Sequence, residues 1–275
     1  MTRRILLGLA LSLLQGLPAP MAFAAETPRG TEQRHACFLL FEPGVGERRR
    51  DPAEACRTPV SPASTFKIPH ALAALDAGVI DGPDAIIAYD GSPQWAETWR
   101  RDHSLASAMR YSVVWYFQAI ARRLGLERER DYLARFSYGN QDTGGDLTHF
   151  WLGRALQITP EGQLAFLADL YRDALPVSEA SMASVRQILV QPRDKVVNAL
   201  GEHPFAAPWP QDAKLSAKTG SATDTSGRAV RWLVGQVQRG QRSFIFVSCV
   251  IGSPDLDASA AIELAARALR EERVL

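Results

Sequence analysis

The sequence predicts an α/β sandwich carrying an inserted helical domain. Apolar, strand-like runs lie near the two ends of the chain, amphipathic helical patterns fill its middle, and an Ala-rich helix closes it. The ends would supply the sheet and its covering helix, in residues 25–60 and 211–275, and the middle a helical part in 61–210. A cleft is expected where the two parts meet, since ligands favour such junctions.

Taken in order, the chain begins with Arg3 and Arg4, an apolar stretch over 5–17, and then Ala22-Phe23-Ala24. That order of charged, apolar and small residues predicts a cleavable secretory signal over 1–24, too short in its apolar part to span a bilayer. About 250 residues remain, enough for one large domain. Loss of Arg3 and Arg4 takes the net charge from +1 to −1, because 31 basic residues become 29 against 30 acidic ones. A near-neutral exported chain has no electrostatic footprint for nucleic acid. Later apolar runs are short and broken by charges, so no membrane anchor is expected after cleavage and the predicted location is the periplasm.

A strand is predicted over 36–42, then a turn at 44–47. A helix over 64–77 follows, apolar at Ile68, Ala71, Leu72 and Leu75 and ended by Gly78; Pro69 inside it sets the first turn at an angle to the rest. Further helices are predicted over 104–110, 114–124, 126–136, 159–172 and 178–189. Glu127, Arg128, Glu129 and Arg130 alternate in sign, which reads as a solvated face. Residues 192–210, with four prolines and Trp209, read as a long loop. Two apolar strands over 231–238 and 242–251, separated by Arg239-Gly240-Gln241, read as a hairpin, and a helix over 257–272 ends the chain.

Two short motifs carry chemistry. In Ser64-Thr65-Phe66-Lys67 the serine and lysine fall at i and i+3, on one face of a helix. A serine needs a neighbour to take its proton, and a lysine can do so once burial lowers its pKa. Pro62, Ala63, Phe66 and Ile68 make the surroundings apolar. Lys218-Thr219-Gly220, just ahead of the terminal strands, offers an ammonium, a hydroxyl and exposed backbone at a sheet edge, the parts needed to hold a carboxylate and a carbonyl. Of three cysteines, Cys37 and Cys56 flank the 44–47 turn. In an oxidising compartment a disulfide between them is expected, worth ~3 kcal/mol for so short a loop, with two free thiols as the alternative. Cys249 reads as a buried core thiol, and the five scattered histidines suggest no metal site.

Together these residues resemble the class D serine β-lactamases, the oxacillinase type. The match to the nucleophile helix is residues 62–69; Tyr111-Ser112-Val113-Val114 resembles the family's Ser-x-Val element, Tyr138-Gly139-Asn140 its Tyr-Gly-Asn loop, and Phe150-Trp151-Leu152 the short loop carrying the active-site tryptophan. Residues 156–160 continue that loop, and Lys218-Thr219-Gly220 and Trp232-Leu233-Val234-Gly235 complete the set. The resemblance implies the fold shared by serine β-lactamases and penicillin-binding proteins: an antiparallel sheet flanked by terminal helices, with an inserted all-helical domain.

It also implies hydrolysis of the β-lactam amide of penicillins and related antibiotics. Ser64 would be the nucleophile and Lys67, carboxylated by CO2 or bicarbonate, the general base; no other cofactor is implied. Phe66, Val114 and Leu152 would line the lysine's pocket, and the Trp151 indole would donate to the carbamate. Backbone N–H groups of Ser64 and Ser221 would form the oxyanion hole. Ser112 would pass a proton to the leaving nitrogen, with Lys218 shaping its field, and Thr219, Gly220 and Ser221 would contact the substrate. The family's arginine after the last long strand is missing: residues 253–262 hold no basic side chain. Arg228 or Arg231 could substitute; otherwise Lys218, Thr219 and Ser112 hold the substrate carboxylate alone. The alternative to hydrolysis is a β-lactam-binding protein, sensor-like or transpeptidase-like, that is acylated but turns over poorly.

Overall fold

Strand β1 (His35–Glu42) shows how the centre of the molecule is built. Its side chains alternate: Cys37 and Leu39 enter one hydrophobic cluster, Phe38 and Leu40 the other. The computed structural model describes residues 35–205 and 208–275, so the expected signal segment, 1–24, lies outside the described residues. β1 pairs with β2 (Gly46–Asp51) and β9 (Arg242–Gly252), which pairs with β8 (Ala229–Arg239) and through it with β7 (Ala213–Thr223). The result is one antiparallel sheet of order β2-β1-β9-β8-β7, with β7 at an edge. Because both faces of its centre are covered, β1, β8 and β9 are mostly buried along their length, whereas the edge strand β2 is charged and partly exposed.

On one face lies α7 (Ala260–Glu271), fastened where Ser248 Oγ donates to the Ala261 carbonyl at 2.8 Å. The other face meets α1 (Lys67–Asp76), α2 (Leu105–Arg110), α3 (Val114–Leu124), α4 (Leu126–Arg135), α5 (Pro160–Tyr171) and α6 (Glu179–Ile188) through the larger core. Caps set several of these ends: Ser104, Thr159 and Ser178 each accept from the backbone three residues on. Pro69 stands in the first turn of α1, where its missing N–H leaves no bond unmade. Cys37 and Cys56 form a disulfide, and Cys249 is free and buried.

Two readings need correction. The middle of the chain is not all helical: besides a short pair β3 (Ile86–Ile87) and β4 (His103–Ser104), the stretch read as a loop over 192–210 contains a hairpin of β5 (Lys195–Asn198) and β6 (Gly201–Pro204). Four-residue strands carrying only Val196 and Val197 as apolar pairs leave no alternation to detect. Glu129 is not on a solvated face either: it is buried, with Oε1 2.6 Å from His70 Nε2. Helical rotation turns it inward while Glu127, Arg128 and Arg130 stay exposed.

Candidate active site

Residues Ala63–Phe66 form a single 3-10 turn leading into α1. At three residues per turn, positions i and i+3 eclipse, which stacks Lys67 over Ser64 and brings Nζ to 2.7 Å from Oγ. Ala63 enters the turn with φ 49°, a left-handed conformation costing an L-residue about 1–2 kcal/mol. The surroundings hold it there. Thr65 Oγ1 donates to the Pro62 carbonyl at 2.7 Å and accepts from Gln163, whose amide oxygen accepts from the Tyr138 hydroxyl at 3.1 Å.

Lys67 is wholly buried. Phe117 lies with its ring centroid 5.5 Å from Nζ, and Phe66, its neighbour in sequence, stacks on Trp151 at 5.6 Å. Burial chiefly, and the nearby charge of Lys218 in addition, hold the amine well below the ordinary lysine range. The Trp151 indole nitrogen is also buried and has no hydrogen-bond acceptor among the described residues. A buried donor left in that state costs about 1–3 kcal/mol, so its presence in the aromatic cluster around Phe66 calls for an explanation.

The loop bearing Trp151 is pinned to the nucleophile turn by Ser61, a residue unremarked in the sequence. Its Oγ donates to the Trp151 carbonyl at 2.9 Å and accepts from the backbone N–H groups of Gly153 at 2.9 Å and Ala63 at 3.2 Å. Gly153 has φ +78°, and a Cβ there would come within 2.2 Å of the Thr223 carbonyl oxygen. Tyr138-Gly139-Asn140 staples the loop's other end: Asn140 bonds the backbone of Ala155 and Gln157, and Tyr138 props Gln163.

β7 forms the opposite wall. Gly220 lets the strand approach the nucleophile turn, since a Cβ would stand 3.0 Å from the Pro62 carbonyl oxygen. Lys218 is buried on the inner face, where Nζ donates to Ser112 Oγ at 3.0 Å and to the Thr219 carbonyl at 2.9 Å. Burial pushes its pKa down to about 7. Ser112 sits between α2 and α3 with φ 57°.

Above these buried groups opens a cleft of about 250 Å³. Ser64, Ser112, Val114, Leu152, Thr219, Gly220 and Ser221, all singled out from the sequence, line it. Lys67, Trp151 and Lys218 form the buried layer beneath. The sequence reading missed the rim, Trp95 and Trp99 on one side and Leu200 on the other, and Ala258; Trp232, named there within the 232–235 match, also lines the cleft. Thr98 Oγ1 donates to the Ala199 carbonyl at 3.1 Å and ties the two rims together. Aromatic clustering around Trp95 and Trp99 was the available signal; the hairpin tip offered none. A larger groove, about 550 Å³ between Tyr171, Arg186 and Lys214, contains none of the predicted site residues.

Arg228 does not reach this cleft, contrary to the expectation that it contacts substrate. Its guanidinium pairs with Asp224 at 2.9 Å inside the β7–β8 turn and faces a separate groove beside Arg154 and Gln157. The turn's own carboxylate, four residues away, captures it.

Among the described residues no helix is long and apolar enough to cross a membrane, and no group of His, Cys, Asp or Glu is arranged to hold a metal ion. Residues 33–270 match the family model for the penicillin-binding protein transpeptidase domain. The chain is 37% identical over 185 residues to β-lactamase OXA-48 of Klebsiella pneumoniae, covering 67% of this chain and 63% of that protein, a little under two thirds of the relative. It is 34% identical over 218 residues to β-lactamase OXA-5 of Pseudomonas aeruginosa, covering 78% of this chain and 76% of that one. The crystal structure of the class D β-lactamase YbXI from Nostoc superposes with a TM-score of 0.78 at 30% identity, over 88% of this chain and 95% of the other. A shared fold, a family model spanning most of the sequence and relatives at about a third identity lead to one conclusion: this chain belongs to the class D β-lactamase family.

Proposed function

We propose that the cleft binds a β-lactam and hydrolyses its amide bond through an ester on Ser64. The observation that carries this reading is the buried Lys67 amine at 2.7 Å from Ser64 Oγ, with the unpartnered Trp151 N–H in the same aromatic enclosure. Only a neutral amine adds to CO2, and burial shifts Lys67 toward that form. Trp151 then has a partner for its indole N–H. Carboxylation of Lys67 would place an oxygen base next to the nucleophile.

The remaining work falls to the chain's own groups. Ser64 Oγ, relieved of its proton, adds to the lactam carbonyl carbon, with backbone N–H groups of Ser64 and Ser221 taking up the developing negative charge. The C–N bond of the ring breaks, and the departing nitrogen receives its proton through Ser112, which Lys218 holds by a hydrogen bond. Thr219 lines the part of the cleft that would take the substrate carboxylate, with the buried Lys218 amine beneath it. Water admitted over Leu152 cleaves the ester and returns the proton to Ser64. The exposed aromatic and aliphatic rim at Trp95 and Leu200 suits an apolar substituent on the lactam. Action after export, in the periplasm, is supported by the Cys37–Cys56 disulfide, since such bonds persist in oxidising compartments.

The test is turnover of a chromogenic cephalosporin and a penicillin by the mature protein with added bicarbonate, with Ser64→Ala as control. Many turnovers abolished by the substitution are expected. One burst followed by a stable adduct would instead identify a protein that is acylated without turnover, and no reaction would refute the reading.

A further inference from the structure

Beside the cleft-lining end of β7 the sheet carries a guanidinium that forms no ion pair among the described residues and feels Asp257 only through space. Arg231 of β8 stands directly opposite Ser221 of β7. Cross-strand partners share a face, and so do residues two apart along a strand, so Thr219, Ser221 and Arg231 lie on the α7 side of the sheet. Thr219, Ser221 and Ala258 line the cleft there.

The Arg231 guanidinium is partly buried and its hydrogen bonds go only to neutral carbonyls. Nη1 donates to Val230 at 3.2 Å and Ala222 at 3.3 Å, and Nη2 to Leu256 at 3.0 Å. Its Nε is buried with no acceptor. No carboxylate among the described residues pairs with it. Asp257, the nearest acid it feels, is held by the backbone N–H and hydroxyl of Ser259. Arg228, by contrast, is fully engaged by Asp224. A cation withdrawn from water among carbonyls alone lacks the counter-ion that ordinarily offsets its desolvation. Ser221, the exposed cross-strand partner of Arg231, carries a small side chain and itself lines the cleft.

We propose that Arg231 is the specificity-determining cation for the substrate's free carboxylate, acting across Ser221 in place of the basic residue that 253–262 lack. The proposal rests on the cleft being a β-lactam site. The hydroxyls of Thr219 and Ser221 contact the carboxylate, and Arg231 supplies the field that balances it. Opposed residues on paired strands have Cβ atoms about 5 Å apart, and at an effective dielectric near 20 a charge pair some ångströms further apart still changes affinity by about tenfold or more.

The experiment compares a penicillin bearing its free carboxylate with the corresponding neutral ester, using wild type, Arg231→Gln and Arg231→Lys. Wild type should favour the acid by about tenfold in KM, and Arg231→Gln should erase that preference with kcat within about threefold. Arg231→Lys, which keeps the charge but not the planar fork, should restore most of it. Equal KM changes for acid and ester in Arg231→Gln would make the residue a structural prop and overturn the proposal; so would an unchanged acid KM. If the Gln variant does not fold, parity of acid and ester in wild type, or failure of Arg231→Lys to keep the preference, overturns it equally. Hydrolysis of neither compound by wild type would sink the reading of the cleft itself, a different outcome from loss of discrimination between them.

Discussion

Replacing Trp151 with phenylalanine removes one N–H while keeping an aromatic ring among Phe66, Phe150 and His70, whose centroids lie 4.9–5.6 Å from the indole. Trp151→Ala would be a poorer test, because emptying this wholly buried site costs about 3–5 kcal/mol of packing and obscures the chemistry. In the phenylalanine variant the quantity lost is a hydrogen bond to a charged acceptor, worth about 1.5–3 kcal/mol. At about 1.4 kcal/mol per factor of ten, carboxylated Lys67 should be about 10–150 times less favoured. The assay is steady-state penicillin hydrolysis titrated with bicarbonate. The half-saturating bicarbonate concentration should rise by that factor, with turnover recovering at saturation. Because the amine enclosure is otherwise intact, a half-saturation within about threefold of wild type would refute the assignment of the indole N–H to a carbamate.

Two further outcomes follow from the same geometry. Ser61→Ala removes one donor and one acceptor that join the Trp151 loop to the nucleophile turn, so stability should fall by about 1–3 kcal/mol and kcat with it; an unchanged denaturation midpoint and kcat would show the pin to be dispensable. Lys218 is depressed to about 7 in the folded chain by burial, against about 10.4 for an unfolded lysine. Between these values the unfolded state binds more protons, so this residue's contribution to stability rises with pH through that window. Urea midpoints should therefore climb from pH 7 to 9 more steeply in wild type than in Lys218→Met, and equal slopes would contradict the buried-amine account.

How much was legible in advance divides along the distance between interacting residues. The termini of α3 came directly from its periodicity, and the strands of the β8–β9 hairpin from their apolar runs around Gly240. Ser64 and Lys67 came from their spacing, although the backbone joining them is a 3-10 turn, which aligns i and i+3 more closely than the α-helix expected there. Trp151 and Ser112 were found by family resemblance, because a lone tryptophan in a loop or a serine after a helix carries no signal of its own. Glu129 went the other way. Its neighbours' alternating charges suggested water, and the partner that turns it inward, His70, lies 59 residues earlier on another helix.

What the sequence determined by itself is therefore what the backbone enforces over a few residues: the main helices, the apolar strands β1, β8 and β9, the pairing of nucleophile with lysine, and the chemical types present; β2 and β7, poor in apolar pattern, were not read as strands. Tertiary structure alone decided which of those types meet. Ser61 reaches Gly153 across 92 positions, Gly220 yields its space to Pro62, and the hairpin tip at Leu200 comes to face Trp95 over the cleft. It also separated two arginines three residues apart, tying Arg228 to Asp224 and leaving Arg231 opposite Ser221. The reason is that strand register and helix packing set contacts between distant segments through the burial of whole faces, a property of the assembled layers rather than of any local run of residues.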